Sequence, residues 1–360
     1  MLRACVISND SEKLARCLDA YLKQTNRFVV IDTEKNHSEN SATIARLRLD
    51  ALHASETALS SSPFPLLFSG GYGGFRNLAL LLCAKDGSHA AFFDDDTSPA
   101  NDCVARYESL FSEGKKVVCG KYLKQAGGTT NILLEVMSVL RECQKGAGEE
   151  QCRNRLSSLF SGIPKETSEI ITGAGLVGGN LGVSLESLRR YCFLPSPYRI
   201  ENGLFGVLAP RFLGVDAVYN PAEKTEARTR LPAVFHEKTP VKNALVKNLK
   251  NEIAGVAIAH CVAAKLDGKP IGVQAAASLA FEEYLLPYIA QKNAQHDFTK
   301  TASELGFAED FNNLLSITPE KIMPAEDEAV SLASSFIAAQ NSWSAALEWA
   351  SRQPLNTLLG

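Results

Sequence analysis

Hydrophobic positions along the chain fall into short unbroken runs separated by longer stretches at helical spacing. Ala4–Ile7 is apolar throughout and predicts a strand, followed by a turn at Ser8–Ser11. Leu14, Cys17, Leu18, Tyr21 and Leu22 then recur at the spacing of one helix face, with Asp10 or Ser11 as the N-cap. Phe28–Ile31 is a second unbroken run and ends at Asp32. A strand, a helix and a strand within roughly thirty residues make a βαβ unit. Runs that are apolar at every position, rather than at alternate ones, suit a parallel sheet covered on both faces. Pro65–Phe68 is the third predicted strand and opens into a glycine-rich stretch, Ser69–Gly74. Arg76–Ala84 predicts a helix, Ala90–Phe93 the fourth strand, and Lys116–Gly120 a further one. The expected class is α/β, a mostly parallel sheet flanked by helices.

Two regions break this rhythm. Residues 121–165 are polar, glycine-bearing and helical in places, as an inserted surface or lid segment would be. Gly173–Val183 is a second glycine-rich stretch, followed by a helix capped by Ser184. Beyond Pro240 the texture turns to alanine, leucine and lysine: Val241–Lys265, Gly272–Ala290 and Asp327–Ala350 all predict helix. The expected division is a domain over 1–240, with the insert at 121–165, and an all-helical region over 241–360 whose apolar faces pack on that domain.

Composition narrows the class. A chain of 360 residues, 45% hydrophobic and 21% charged, is ordinary globular material. A net charge of −3 gives no electrostatic reason to expect a nucleic-acid partner. Nine cysteines, an odd number with no CxxC pair, suggest neither a disulfide framework nor a cysteine zinc site. Reduced thiols imply a cytoplasmic setting. The N-terminus turns polar too early for a signal peptide, and no apolar run approaches the ~18 residues of a membrane span.

The sharpest chemical feature is Phe92-Phe93-Asp94-Asp95-Asp96-Thr97-Ser98-Pro99. In an α/β sheet, ligands bind beyond the carboxyl ends of the strands, where these three carboxylates would sit. Adjacent anions repel unless a cation neutralises them, and Mg²⁺ or Mn²⁺ characteristically bridges a few carboxylates to the phosphates of a nucleotide. The plainer reading is a helix cap near Ser98. Ahead of the triplet stands Gly70–Asn77. Its glycines, Gly73 and Gly74 among them, let backbone amides approach a ligand, and a helix starting near Phe75 would aim its positive end at an anion. Arg76 adds a bidentate phosphate donor. Gly173–Gly178 fits the GxGxxG dinucleotide pattern, but the glycines that follow make a poor helix, so that reading is set aside.

With these residues in view, the stretch from about 3 to 240 resembles the family 2 glycosyltransferases and their GT-A relatives. The resemblance implies that Asn9, after Val6-Ile7-Ser8, and Asp32, after Val29-Val30-Ile31, touch the base and ribose of a nucleotide. It makes Asp94 and Asp96 the DXD metal pair, with Asp95 between them. Gly73, Gly74, Arg76, Asn77, Asp94 and Asp95 then line the donor. Gly178-Gly179-Asn180 resembles the glycine–asparagine turn on the acceptor side. Ile200–Gly206 resembles the segment that supplies the catalytic base, giving that role to Glu201 with Asn202 on the acceptor side. The segment Val234–Lys238 resembles the late histidine that completes the metal shell, here His236; neutral imidazole suits Mn²⁺ beside carboxylates. One departure stands out: where the family shows a second acid this chain has Asn202, and an amide accepts no proton. Inverting and retaining outcomes both stay open.

The implied activity is a metal-dependent (Mn²⁺ or Mg²⁺) glycosyltransferase, a hexosyltransferase in the first instance. A UDP- or GDP-sugar is the donor and a small molecule, glycan or protein hydroxyl the acceptor, with self-association left open. Two rivals are kept. A sugar-1-phosphate nucleotidyltransferase needs a glycine-rich basic loop after the first strand, where Ser8-Asn9-Asp10 stands. A non-catalytic binding module on a degenerate transferase domain is the other.

Overall fold

The computed structural model describes residues 1–68, 71–123, 129–161, 169–170, 179–196, 201–221, 225–236, 258–269, 295–315 and 326–360. The chain opens with β1 (Leu2–Ser8), α1 (Ser11–Leu22), β2 (Arg27–Asp32), α2 (His37–Arg46) and β3 (Asp50–Ser55). Next come α3 (Pro65–Phe68), α4 (Gly71–Asp86), β4 (His89–Asp94), β5 (Thr97–Pro99) and α5 (Cys103–Ser112). These are followed by β6 (Val117–Cys119), β7 (Lys121–Leu123), α6 (Thr129–Gln144), α7 (Glu149–Ser161) and β8 (Glu169–Ile170). The remaining elements up to His236 are β9 (Asn180–Val183), α8 (Leu185–Leu188), α9 (Glu201–Leu213), β10 (Val218–Tyr219), α10 (Glu226–Thr229) and β11 (Ala233–His236).

The expected α/β architecture forms. A seven-stranded sheet runs β10-β6-β9-β4-β1-β2-β3. The four strands from β4 to β3 are parallel, and β9 is antiparallel to both of its neighbours. Alternate residues of β1, β2 and β4 (Ala4, Val6, Phe28, Val30, Ala91, Phe93) join a core with Leu14, Leu18 and Tyr21 of α1 and Tyr107 of α5. The opposite face meets α4: Cys5 Sγ lies 3.6 Å from Cys83 Sγ. Asp10 caps α1, its carboxylate accepting from the backbone amides of Glu12 and Lys13, as its position in the sequence predicts.

One strand expectation fails. Pro65–Phe68 is a helical turn, not a strand. Proline suits the first turn of a helix, where its missing N–H leaves no bond unmade. The third strand of the parallel set is instead β3, Asp-Ala-Leu-His-Ala-Ser, an edge strand whose mixed polarity hides it from an apolar-run criterion.

The described residues group into two compact units: Met1–Leu123 with Ile171–His236 and Ser334–Gly360, and Lys124–Ile170 with Glu237–Ala333. The chain end, Ser334–Gly360, groups with the first unit. There Trp343 is 1% exposed and its Nε1 donates to Leu188 O at 2.8 Å. Phe336 meets Tyr191 edge-on, with ring centroids 6.3 Å apart. In the second unit α6 and α7 pack with the helices Gln295–Glu304 and Ala308–Leu315, and Phe160 stacks on Phe307 at 5.5 Å. Much of Val241–Lys265 and all of Gly272–Ala290, both predicted as helix, lie outside the described residues. Among the described residues, no helix is long and apolar enough to cross a membrane.

At the end of the sheet remote from the strand C-termini, Arg3 is 3% exposed and grips Asp86 with Nε at 2.8 Å and Nη2 at 3.0 Å. Arg27 Nη2 also donates to Asp86, at 2.9 Å. Burial alone would raise the Asp86 carboxyl, but hydrogen bonds from Arg3 and Ser88 and the charges of Arg3 and Arg27 hold it below its ordinary value. Its stabilisation is therefore complete above the unfolded carboxylate value of about 3.9 and is lost as pH falls through the lower folded value. Asp86→Ala is expected to cost about 2 kcal/mol at pH 7, below the 3–5 kcal/mol range of a fully buried pair because Asp86 is 21% exposed. Urea unfolding of both proteins at pH 7 and pH 3 checks this: the gap between them should shrink at the lower pH.

Candidate active site

Successive parallel strands β1, β2 and β3 run outward to one side of β1, while β4 lies on its other side. Strand order therefore reverses between β1 and β4, the crevice where open α/β sheets receive their ligands. Ser8 ends β1 and Asp94 ends β4. Asp95 and Asp96 form a turn, and Thr97 starts β5 in a second sheet, where β11 runs antiparallel to β5 and parallel to β7.

The turn is tied from beneath. Thr97 Oγ1 donates to Asp94 O at 2.7 Å, and Cys17 Sγ approaches the same carbonyl at 3.6 Å. Ser8 Oγ donates to Asp95 Oδ2 at 2.6 Å. Burial pushes the Asp95 carboxyl above its ordinary value; the Ser8 hydrogen bond opposes this, and the charges of Asp96 and Asp94 reinforce it. A cation at this turn would reverse the repulsion. Asp94 is partly exposed, with Tyr122 Oη donating to its Oδ2 at 3.3 Å. Burial first, then the Asp94 charge, hold the Tyr122 phenol well above its ordinary value, so it stays protonated and donates.

Gly179 explains how Asp94 fits. A Cβ at that position would lie 1.9 Å from Asp94 Oδ2 and 2.3 Å from Tyr122 Oη. The residue expected on the acceptor side is thus the floor on which the Asp94 carboxylate rests. In the same way Asn180 is a strap: buried, it accepts from Tyr107 Oη at 2.7 Å and donates to Lys121 O at 2.9 Å and Pro232 O at 3.2 Å. Its amide is fully used inside the protein, which leaves it no acceptor contact to make.

The glycine-rich segment also differs from expectation. Helix α4 begins at Gly71 rather than near Phe75, so Gly73 and Gly74 lie buried in its first turns. A Cβ on Gly73 would stand 1.8 Å from Leu194 O, so this glycine serves close packing and not a phosphate cradle. Asn77 is equally committed: its Nδ2 donates to Leu67 O at 2.9 Å and Phe193 O at 3.0 Å, and its Oδ1 accepts from Phe193 N at 2.7 Å.

Arg76 projects toward carboxylates instead of opening as a phosphate donor. It is 4% exposed, and its guanidinium lies over the rings of Phe92 and Phe193 at 5.5 and 5.8 Å. Its Nε donates to Asn202 Oδ1 at 2.9 Å and lies 3.8 Å from Glu201 Oε1, while Nη2 is 3.9 Å from Asp94 Oδ1. Asn202 Nδ2 donates to Glu201 Oε1 at 3.0 Å. Asn202 therefore couples Arg76 to Glu201, its amide accepting from one and donating to the other, which an ionised carboxylate at this position could not do. Glu201 opens α9 and is buried, where the helix N-terminus and Arg76 both favour its charge.

At the rim, Asn9 is exposed, with its carbonyl accepting from Asn36 Nδ2 at 2.7 Å. Asp32 is not open to a ribose: His37 Nδ1 meets its Oδ1 at 2.8 Å, and Asn40 Nδ2 and His53 Nε2 meet its Oδ2 at 2.7 Å each. Backbone register places His236 opposite Thr97, the residue after Asp96; its side chain lies outside the described residues. Sequence reasoning missed Tyr122 and the partners of Asp32. Tyr122 sits in a three-residue strand with no motif around it, and His37 and His53 meet only when α2 folds onto β3.

No family model matches the chain, and no curated protein matches it. Among solved structures it is similar to the glucosyl-3-phosphoglycerate synthase of M. tuberculosis, at 14% identity and a TM-score of 0.42, over 75% of this chain and 82% of that one. A likeness at that level carries no inference about activity.

Proposed function

We propose that this chain is a metal-dependent glycosyltransferase of the GT-A type, moving a sugar from a nucleotide diphosphate to a hydroxyl acceptor. The observation that carries the reading is the acidic turn Asp94–Asp96 at the switch point between β1 and β4, facing Glu201 across Arg76.

The donor set fits Mg²⁺ or Mn²⁺. It consists of the hard carboxylate oxygens of three consecutive aspartates at the end of β4. The three carboxylates do not converge as a closed cage; among the described residues, the group of three ligand-type side chains whose atoms lie within 4.8 Å is found elsewhere. An open arrangement of one or two carboxylates is how a cation shared with substrate phosphates is held. Asp96 and Asp94 would be its protein ligands, with His236 as the third candidate. When bound, the cation supplies charge for the departing diphosphate.

The chain's own groups supply the rest. Tyr122 and the bare floor at Gly179 fix Asp94. Arg76, through Asn202, holds Glu201 in one orientation, so that its carboxylate can take the acceptor proton or align the hydroxyl. Asn9, exposed just beyond β1, would meet the nucleoside.

Incubating the protein with UDP-, GDP- and dTDP-sugars tests the reading. Nucleotide release that requires Mn²⁺ is expected with at least one of them. Titration calorimetry with the free nucleotide diphosphates should show binding that needs the metal. Metal-independent binding without turnover would point to the binding-module alternative.

A further inference from the structure

Away from the acidic turn, Asp32, His37 and His53 offer one carboxylate and two imidazoles whose ligand atoms all lie within 4.8 Å of one another. Three elements contribute them: Asp32 ends β2, His37 starts α2, and His53 lies near the end of β3. The two imidazoles stack with centroids 4.1 Å apart. We propose that these three side chains form a Zn²⁺ site that pins α2 to the ends of β2 and β3. It is independent of the glycosyltransferase reading and of the metal expected at Asp94–Asp96.

Four observations converge on it. First, two histidines and a carboxylate are a characteristic zinc donor set. Donor atoms each roughly 2.0–2.2 Å from a shared ion lie at most about 4.3 Å apart, so closing around it needs movement on the order of 1 Å. Second, the far ring nitrogen of His53 is already oriented: Ser41 Oγ lies 3.1 Å from its Nδ1. A ligating imidazole is commonly fixed this way through its other nitrogen. A hydroxyl donates or accepts, so Ser41 serves His53 whether its proton is on Nε2, facing Asp32, or has moved to Nδ1 to free Nε2 for a metal.

Third, Asn40 is fully buried; its Nδ2 donates to Asp32 Oδ2, yet its Oδ1 has no hydrogen-bond partner among the described residues. A buried amide oxygen without a partner costs roughly 1–3 kcal/mol, so a polar group beside Asp32 is left unsatisfied. Fourth, α2 docks in part through polar groups, alongside the half-buried Ile44 that packs on the core. Asn40 is its one fully buried residue, and His37, Asn40 and Ser41 share the face at helical spacing that meets Asp32 and His53. A helix that docks through polar groups gains most from a bond that ties those groups together. Access is open on one side, since the His37 side chain is 33% exposed against 11% for His53 and 0% for Asp32.

The test uses the full chain stripped of metal with a chelator, then titrated with Zn²⁺ and, as an optical reporter, Co²⁺. One equivalent should bind. The Co²⁺ form should show the visible bands of a low-coordinate nitrogen–oxygen site without the near-ultraviolet band of a cysteine thiolate. His37→Gln and His53→Gln should each weaken binding by more than about 100-fold, and Ser41→Ala by about 10-fold, the size expected of a partner that orients a ligand. Asp96→Ala should leave this binding unchanged. Circular dichroism checks that each variant is folded; if His53→Gln is not, the more exposed His37→Gln carries the test. Zn²⁺ should also raise the melting temperature of the wild type but not of His37→Gln. Failure of the wild type to bind Zn²⁺, or undiminished binding by a folded His37→Gln variant, overturns the proposal and leaves a hydrogen-bonded Asp–His–His cluster.

Discussion

Asp96→Ala is expected to abolish metal-dependent transfer, lowering turnover by at least about 10³-fold while leaving the melting temperature close to wild type. The size follows from the charge that grows on a departing nucleotide diphosphate. A bound cation is worth several kcal/mol to such a leaving group, and about 4 kcal/mol is a thousandfold in rate. The fold should tolerate the change because Asp96 lies in a partly exposed turn between β4 and β5, outside the apolar core. Two measurements check it: nucleotide release with each sugar donor, and calorimetry of nucleotide diphosphate binding with and without Mn²⁺. Both the turnover and the metal-dependent part of the binding should vanish. A variant that turns over at the wild-type rate would move the catalytic metal away from this turn.

The second large effect concerns Glu201. Glu201→Gln should slow transfer by about 10²–10⁴-fold, the range contributed by general acid–base catalysis, and change donor affinity by less than about twofold. Glutamine keeps the length of the side chain and retains an oxygen for Asn202 Nδ2, now at 3.0 Å from Glu201 Oε1. What it loses is the ability to take a proton and the charge set against Arg76. A fall in kcat with unchanged donor KM is therefore the expected pattern. If kcat were preserved, Glu201 would serve only to seat Arg76, and the acceptor proton would have to leave by another route.

Arg76 shows why part of the site was hidden in the sequence. In the string GGYGGFRN it stands beside four glycines, the setting of a phosphate loop. Folding starts α4 at Gly71, buries Gly73 against Leu194 O, and turns Arg76 into a pocket between Phe92 and Phe193. A glycine needed for ligand approach and a glycine needed for helix packing are the same letter; which one applies depends on what lies across the gap. Asn180 and Asn77 carry the same lesson, since their amides are spent on backbone groups of distant segments. By contrast, the acidic turn was legible. A buried strand that stops at three aspartates places them at its carboxyl end whatever the rest of the chain does.

The sequence by itself determined the layered α/β order: its unbroken apolar runs can be satisfied only between two covering layers, and its helix caps act over a few residues. It also determined that carboxylates cluster at the end of β4, because their spacing is covalent. Only the tertiary structure decided that β9 inserts antiparallel between β4 and β6, that Gly179 makes room for Asp94, that Asn202 links Arg76 to Glu201, and that two histidines close on Asp32. Each of these joins residues far apart along the chain, or depends on which way a side chain turns, and such pairings are fixed by packing between elements rather than by any local pattern.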